Sequence, residues 1–223
     1  MDIEWFNRLV LEGLYLEDQD GKVMFEANHV AAGFEIMPLL EGKFVFTTVR
    51  LFGFSFNLRK HTPESPLNLQ FVIDAFASKD SIKKEKNIDL RFNSIMIRRG
   101  NFSYNVDSEK ETPGKFNAKH IDIKNLSAKI SLKAFNKDSV NAHIKKMSFD
   151  EASGFSLNKL SLNVVGNRDS AFVQDFEVRL PQTDLKIGRA RIDLSEIDSL
   201  PALLNNAPID LNITPSQICL KDL

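Results

Sequence analysis

Apolar and polar residues alternate along most of the chain with a period of two, which is typical of strands that bury one face. The first two alternating segments are separated by Asp18-Gln19-Asp20-Gly21, whose residues favour the backbone of a tight reversal. The next two are rich in Phe and β-branched residues and are separated at Gly53. The pattern therefore predicts two β-hairpins, with strands at 9–16, 23–34, 43–51 and 54–59.

One amino-terminal segment follows a helical period instead. Leu69, Val72 and Phe76 are spaced as on one face of a helix, so we predict a short helix over 68–77 that is capped around Asn68. Two further predictions outside the strands are a charged, solvated loop at 78–87 and a short helix at 199–205.

From Ile88 onward the alternation is almost continuous and is interrupted only by short turn-forming groups such as Pro113-Gly114. No helix of ten or more residues is predicted between these segments, so they indicate an antiparallel meander and not βαβ units. The fold class is accordingly mainly β, with two parts, 1–80 and 88–223, that we expect to form one elongated β domain. The predicted strands of the second part are 88–98, 101–106, 115–123, 126–135, 139–149, 155–165, 171–180 and 184–194.

The apolar positions change from even to odd numbers, or the reverse, within three of these segments, 90–97, 121–128 and 155–162. A strand keeps its apolar side chains on one face through such a change only if a bulge or bend intervenes. A repeated bend would give a curved sheet with an apolar concave side. Simple strand ends with turns explain the same pattern, and the sequence alone leaves both interpretations open.

Composition supports a chain with a sizeable apolar core. Of the 223 residues, 43% are hydrophobic and 26% are charged, as in ordinary globular proteins. The formal net charge of -1 gives no overall positive field for phosphate backbones, so we expect no nucleic-acid partner. Phe occurs 18 times, against two Tyr and one Trp, so most aromatic rings have no polar group that favours water.

Residues in catalytic or metal-binding arrangements are missing from the sequence. It has no Gly-x-Ser-x-Gly elbow, and the spacing of His120 and Asp122 is more typical of a structural pair than of a catalytic one. A single cysteine and four dispersed histidines fit no zinc motif. We therefore predict no enzyme activity, no metal and no cofactor. The acidic pairs are interpreted as turn-forming and surface groups; they are Asp18 with Asp20, and Asp150 with Glu151.

The first five residues lack the basic and apolar regions of an export signal, and no apolar run reaches the length of a membrane span. Strand-like alternation begins almost at once, at Leu9, and the last residues remain apolar. We therefore expect the chain to be an internal piece of a longer protein.

Three segments together resemble the TamB family of AsmA-like envelope proteins, in particular the version found in Bacteroides-type bacteria. They are 9–26, 68–79 and 147–157. The resemblance implies a periplasmic body of β-strands, a β-taco or groove with an apolar inner face, in a protein that is anchored to the inner membrane by a segment outside this chain. It also implies roles in outer-membrane protein assembly or phospholipid transport between membranes, with an outer-membrane assembly protein as partner.

On this hypothesis the cargo is a phospholipid or an outer-membrane protein, held against apolar side chains of the later strands. The alternative is a closed β-sandwich that acts as an interaction or adhesion module, because the same residue types fill a sandwich core. The predicted lining residues of the groove are Phe92, Ile95, Ile97, Leu126, Ile130, Leu157, Leu160 and Leu162.

Overall fold

The computed structural model describes residues 2–3, 7–37, 44–77, 90–135, 139–193 and 209–222. Within them the chain is mainly β, as predicted, and sequential strands pair with antiparallel register. The strands are β1 (Asp2–Ile3), β2 (Arg8–Glu17), β3 (Val23–Phe34), β4 (Phe44–Lys60), β5 (Leu90–Phe92), β6 (Ser94–Val106), β7 (His120–Phe135), β8 (Ser139–Glu151), β9 (Ser156–Asn167), β10 (Ser170–Arg179), β11 (Asp184–Asp193) and β12 (Ile209–Ile213).

The strand order follows the chain from β1 to β4 and from β6 to β12, and β5 pairs with β4 beside this path. This order is the meander that the sequence predicts. The helix α1 (Gln70–Ala77) also matches its prediction, and a 3₁₀ turn covers Leu220–Asp222. The predicted loop at 78–87 and the predicted helix at 199–205 lie outside the described residues. Within the described part of the chain, no helix is long and apolar enough to cross a membrane.

Three of the predicted strand breaks are wrong, because the strand continues through them. β4 runs unbroken through Gly53, β6 through Arg99, and β7 through Asn125. Each of these residues has a left-handed backbone, with φ of 58°, 53° and 56° respectively. Such a residue changes which side of the sheet the following side chains face, but it does not reverse the direction of the chain. The alternation of apolar and polar residues is therefore interrupted as it would be at a turn. The predicted second hairpin is therefore the single strand β4, and β7 begins at His120, not at 115.

The chain divides into two compact units. Unit 1 contains Met1–Arg91, Ile97–Leu126 and Asp150–Gly154, and unit 2 contains Phe92–Met96, Ser127–Phe149 and Phe155–Leu223. The predicted division into 1–80 and 88–223 stays a prediction, since both units take residues from β6, β7 and β8.

The core of unit 1 contains a cluster of Phe rings on three neighbouring strands. Phe25 on β3 lies with its ring centroid 6.1 Å from that of Phe54 and 5.8 Å from that of Phe56, both on β4. Phe102 on β6 packs against Phe56 at 6.1 Å. Contacts of this kind contribute beyond the area that they bury, and they explain part of the strong use of Phe in the sequence.

A buried carboxylate ties the β2–β3 turn to the end of β4. The side chain of Asp18 is 2% exposed, and one of its oxygens accepts hydrogen bonds from the backbone N–H groups of Asp20 and Lys22. The other oxygen accepts from the Arg59 guanidinium at 3.0 Å and from the Asn68 amide at 3.2 Å. Asp18 is therefore turn-forming, as predicted, but it is not the surface group that the sequence suggests.

The prediction that Asn68 caps helix α1 is wrong, because its side chain has other partners. Its Oδ1 accepts from the backbone N–H of Arg59, and its amide donates to Asp18 and to the Asn57 carbonyl oxygen. Glu151, a second of the four acidic groups that the sequence places at turns and the surface, is also buried, and the Ser153 N–H donates to it at 2.7 Å. In both cases a side-chain oxygen satisfies a backbone N–H group: Asn68 accepts from Arg59, and Glu151 accepts from Ser153.

The stability of unit 1 is expected to depend on pH through Asp18. Burial alone would raise its pKa, but hydrogen bonds from Lys22, Asn68, Arg59 and Asp20 outweigh burial and lower the pKa to about 2 from 3.8. A lowered pKa adds stability above the unfolded value, and that stability is lost as the pH falls from about 4 towards 2. We expect urea unfolding to show about 2 kcal/mol more acid destabilisation in the native chain than in Asp18→Asn between pH 5 and 2. Equal losses in both chains would contradict this.

Candidate functional site: the apolar face of strands β9 to β12

Strands β9 to β12 of unit 2 align apolar residues in rows across the sheet. The rows follow from antiparallel register, in which directly paired residues point to the same side of the sheet. The paired sets are Leu160 with Val178 and Leu185; Val164 with Val173, Ala190 and Leu211; Phe176 with Ile187 and Ile213; and Gly166 with Ala171 and Ile192.

Two bulges keep these rows on one face. In β10 the pairing with β9 shifts between Gln174 and Glu177, and Asp175 within the shift has a left-handed backbone with φ of 53°. In β11 the pairing with β12 shifts between Ile187 and Arg189. The apolar positions of both strands change between odd and even numbers at these points. The bulges therefore preserve one continuous apolar face where a regular strand would turn half of its apolar residues to the other side.

The apolar face is only partly removed from solvent. Ala171 on β10 and Ala190 on β11 are each 7% exposed, and most of the larger side chains of the rows are half-buried. On β12 the exposure increases, to 44% for Leu211 and 57% for Ile213. A face with this gradient of exposure offers apolar area that a ligand can still cover.

The predicted groove residues lie on four strands and are shared between the two units. Leu160 belongs to a row described above, and Leu162 lies on the same side of β9, two residues further along. Leu157 is the one fully buried member among the described side chains, at 7% exposure. The remaining described members are half-buried: Ile95 and Ile130 in unit 2, and Ile97 and Leu126 in unit 1. Phe92 ends β5, and its side chain is outside the description. That all eight form one groove stays a prediction.

Strands β10 and β11 contribute to this face, although none of their residues is among the predicted groove residues. Their segments, 171–178 and 185–192, contain the same change between odd and even apolar positions that was noted in three other segments. This signal was present in the sequence and could have identified both strands as part of the same surface.

The opposite face of these strands is charged and held together by ion pairs. Glu177 contacts Lys159 on β9 and, at 2.5 Å, Arg179 on its own strand. Asp184 lies 3.5 Å from Arg179 and 3.3 Å from Lys186. The Lys159 hydrogen bond lowers the pKa of Glu177 despite its partial burial, and Arg179 lowers it further. The sheet of unit 2 therefore has one apolar and one charged face.

The histidine singled out in the sequence has structural contacts in unit 1. The Nδ1 atom of His120 lies 3.1 Å from Oδ1 of Asn105, and its Nε2 atom lies 3.0 Å from the carbonyl oxygen of Glu109. These contacts hold the imidazole between β6 and the loop that follows it. Among the described residues, no group of three His, Cys, Asp or Glu side chains is arranged to hold a metal ion.

No protein-family model matches the chain, and no curated protein sequence matches it significantly. The feature of the structure that bears on function is the amphipathic sheet of unit 2, since both of its faces have defined residues and register.

Proposed function

We propose that this chain is a non-catalytic segment of a periplasmic protein of the TamB and AsmA-like type, and that its apolar sheet face shelters the acyl chains of phospholipid. In that role it would support phospholipid transport between membranes or outer-membrane protein assembly. The observation that carries the proposal is the set of apolar rows across β9 to β12, which two bulges keep on one partly exposed face.

The energetics favour an apolar ligand on this face. Each methylene group that leaves water contributes about 0.8 kcal/mol, so covering ten of them on a sheet contributes about 8 kcal/mol before the cost of ordering the chain. The face presents Val, Leu, Ile and Phe side chains without a charged residue in its paired rows, so a lipid tail meets no polar group that must lose water. The charged face on the other side provides solubility.

Native mass spectrometry of the complete 223-residue chain, purified after incubation with phospholipid vesicles, tests the proposal. We expect bound phospholipid on the native protein and at least a tenfold lower bound fraction after Val173→Lys with Val178→Lys, because two ammonium groups then interrupt the apolar rows. Both valines are half-buried members of the rows.

The matched control places the same charges on the opposite face, as Ser161→Lys with Gln174→Lys, and should retain the lipid. Circular dichroism and thermal melting establish that both double variants are folded. A native protein without phospholipid, or equal loss of lipid in the two folded variants, would contradict a role of this face in lipid binding.

A further inference from the structure

A basic cleft lies on the charged face of unit 2, away from the apolar rows. It is formed by side chains of three neighbouring strands, β7, β8 and β9, and has a volume of about 390 Å³. None of the described residues that line it carries a carboxylate. The lining residues are Ser131, Lys133, Asn141, His143, Lys145, Asn163 and Val165.

Positive charge continues from the cleft across β10 to β11. Val165, at the cleft, pairs with Phe172, which pairs with Arg191. The guanidinium carbons of Arg189 and Arg191 lie 4.8 Å and 5.8 Å from the centroid of the Phe172 ring. An aromatic ring flanked by two guanidinium groups is suited to the interface between water and lipid headgroups, where apolar and cationic groups both find partners.

Two carboxylates lie beside Arg191: Asp210 on β12 is paired opposite it, and Asp193 lies two residues further along β11 on the same side. The described residues that line the cleft include no carboxylate. Glu177 and Asp184 are paired with other cations, namely Lys159, Arg179 and Lys186. Four exposed cations lie on this surface, which we call the basic face: Lys133, Lys145, Arg189 and Arg191.

We propose that the basic face docks on the surface of an anionic phospholipid bilayer. The order of strands from β7 to β11 and a strand spacing of about 4.8 Å spread the four cations over roughly 19 Å, which is wider than one phosphate group and fits an array of headgroups. Each Lys or Arg near an anionic bilayer strengthens binding about fivefold, so the four act together.

The basic face extends over β7 to β11 and the apolar face over β9 to β12, and on the strands that they share they lie on opposite sides. Consecutive residues of a strand point to opposite sides, so Val173 and Val178 do not contribute to the basic face. A bilayer bound by the basic face thus leaves the apolar face accessible, and the two proposals fail or hold independently.

Vesicle co-sedimentation of the complete chain tests the docking. We expect at least tenfold stronger binding to vesicles of phosphatidylcholine with 30% phosphatidylglycerol than to pure phosphatidylcholine in 50 mM NaCl, and loss of this difference in 500 mM NaCl, where surface charges are screened. Lys133→Gln with Lys145→Gln should weaken binding to the anionic vesicles roughly 25-fold, and Arg189→Gln with Arg191→Gln by a similar factor.

The control, Lys110→Gln with Lys115→Gln, removes the same charge from an exposed loop of unit 1 and should change binding less than twofold. Equal binding to both kinds of vesicle, or equal weakening by the control, would overturn the proposal. So would displacement from vesicles by 10 mM inorganic phosphate at constant ionic strength, because it would reveal a site for a single phosphate group. Melting curves verify that each variant is folded.

Discussion

Replacing Asp18 with asparagine is expected to lower the free energy of unfolding of unit 1 by about 3 kcal/mol. Asparagine keeps one oxygen for the turn N–H groups, but its NH₂ group replaces the oxygen that faces Arg59 and Asn68. The new NH₂ group then faces the N–H donors of Arg59 and Asn68 at a site where the aspartate side chain is 2% exposed. The Arg59 guanidinium also loses its buried carboxylate partner. Urea denaturation at pH 7, followed by hydrogen exchange of the β2 and β3 amides, measures the loss.

Asp20→Asn is the matched control for this variant. Asp20 contacts the same guanidinium at 2.6 Å, but its side chain is 47% exposed, so water replaces much of what the carboxylate provides. We expect a loss below about 1 kcal/mol. If the two variants unfold at the same urea concentration, the burial of Asp18 does not stabilise the β2–β3 turn in the way described.

The sequence predicted the elements whose signals are local. The β2–β3 hairpin was recognised because Asp18 to Gly21 combine turn chemistry with flanking alternation, and helix α1 because its apolar spacing lies within eight residues. The partners of Asp18 were not predictable in this way. Arg59 and Asn68 lie 41 and 50 residues further along the chain, so their contact depends on how β3 and β4 pair.

Strand continuity was the main error, and its physical cause is the left-handed residues. Gly53 is a typical turn residue, and Asn125 tolerates a positive φ, so both predict a break between two strands. Arg99 gives no such signal, because an arginine rarely has a positive φ. Only the pairing of neighbouring strands determines that the chain continues through these positions.

Part of the candidate site was predictable from alternation alone. Leu160 and Leu162 were correctly recognised as apolar positions of a strand, and the later segments repeat the pattern. What alternation cannot specify is which residues share a row, because the register across β9, β10 and β11 depends on where each bulge falls. The pairing of Val164 with Val173 and Ala190 is therefore information that comes from the structure.

The same dependence on strand pairing explains why one glycine of β6 is structurally required. A Cβ atom added at Gly100 would lie 2.2 Å from Cε1 and 2.5 Å from Cζ of Phe54 on β4. Phe54 is 6% exposed and stacks on Phe25, so its ring has little room to move. Gly100 thus provides the space into which the Phe cluster of unit 1 packs.

Gly100→Ala is expected to destabilise unit 1 by about 2 kcal/mol, because the new methyl group displaces the Phe54 ring from its packed position. Urea denaturation measures the loss, and Gly188→Ala in β11 is the control. There the added Cβ would meet only the Thr214 methyl at 3.5 Å, so the change should be within about 0.5 kcal/mol. Adding Phe54→Leu to both backgrounds separates the steric effect from other causes, since a smaller side chain leaves room for the methyl group. In the Phe54→Leu background Gly100→Ala should cost less than half as much, and an unchanged cost would show that contact with Phe54 is not the reason for the glycine.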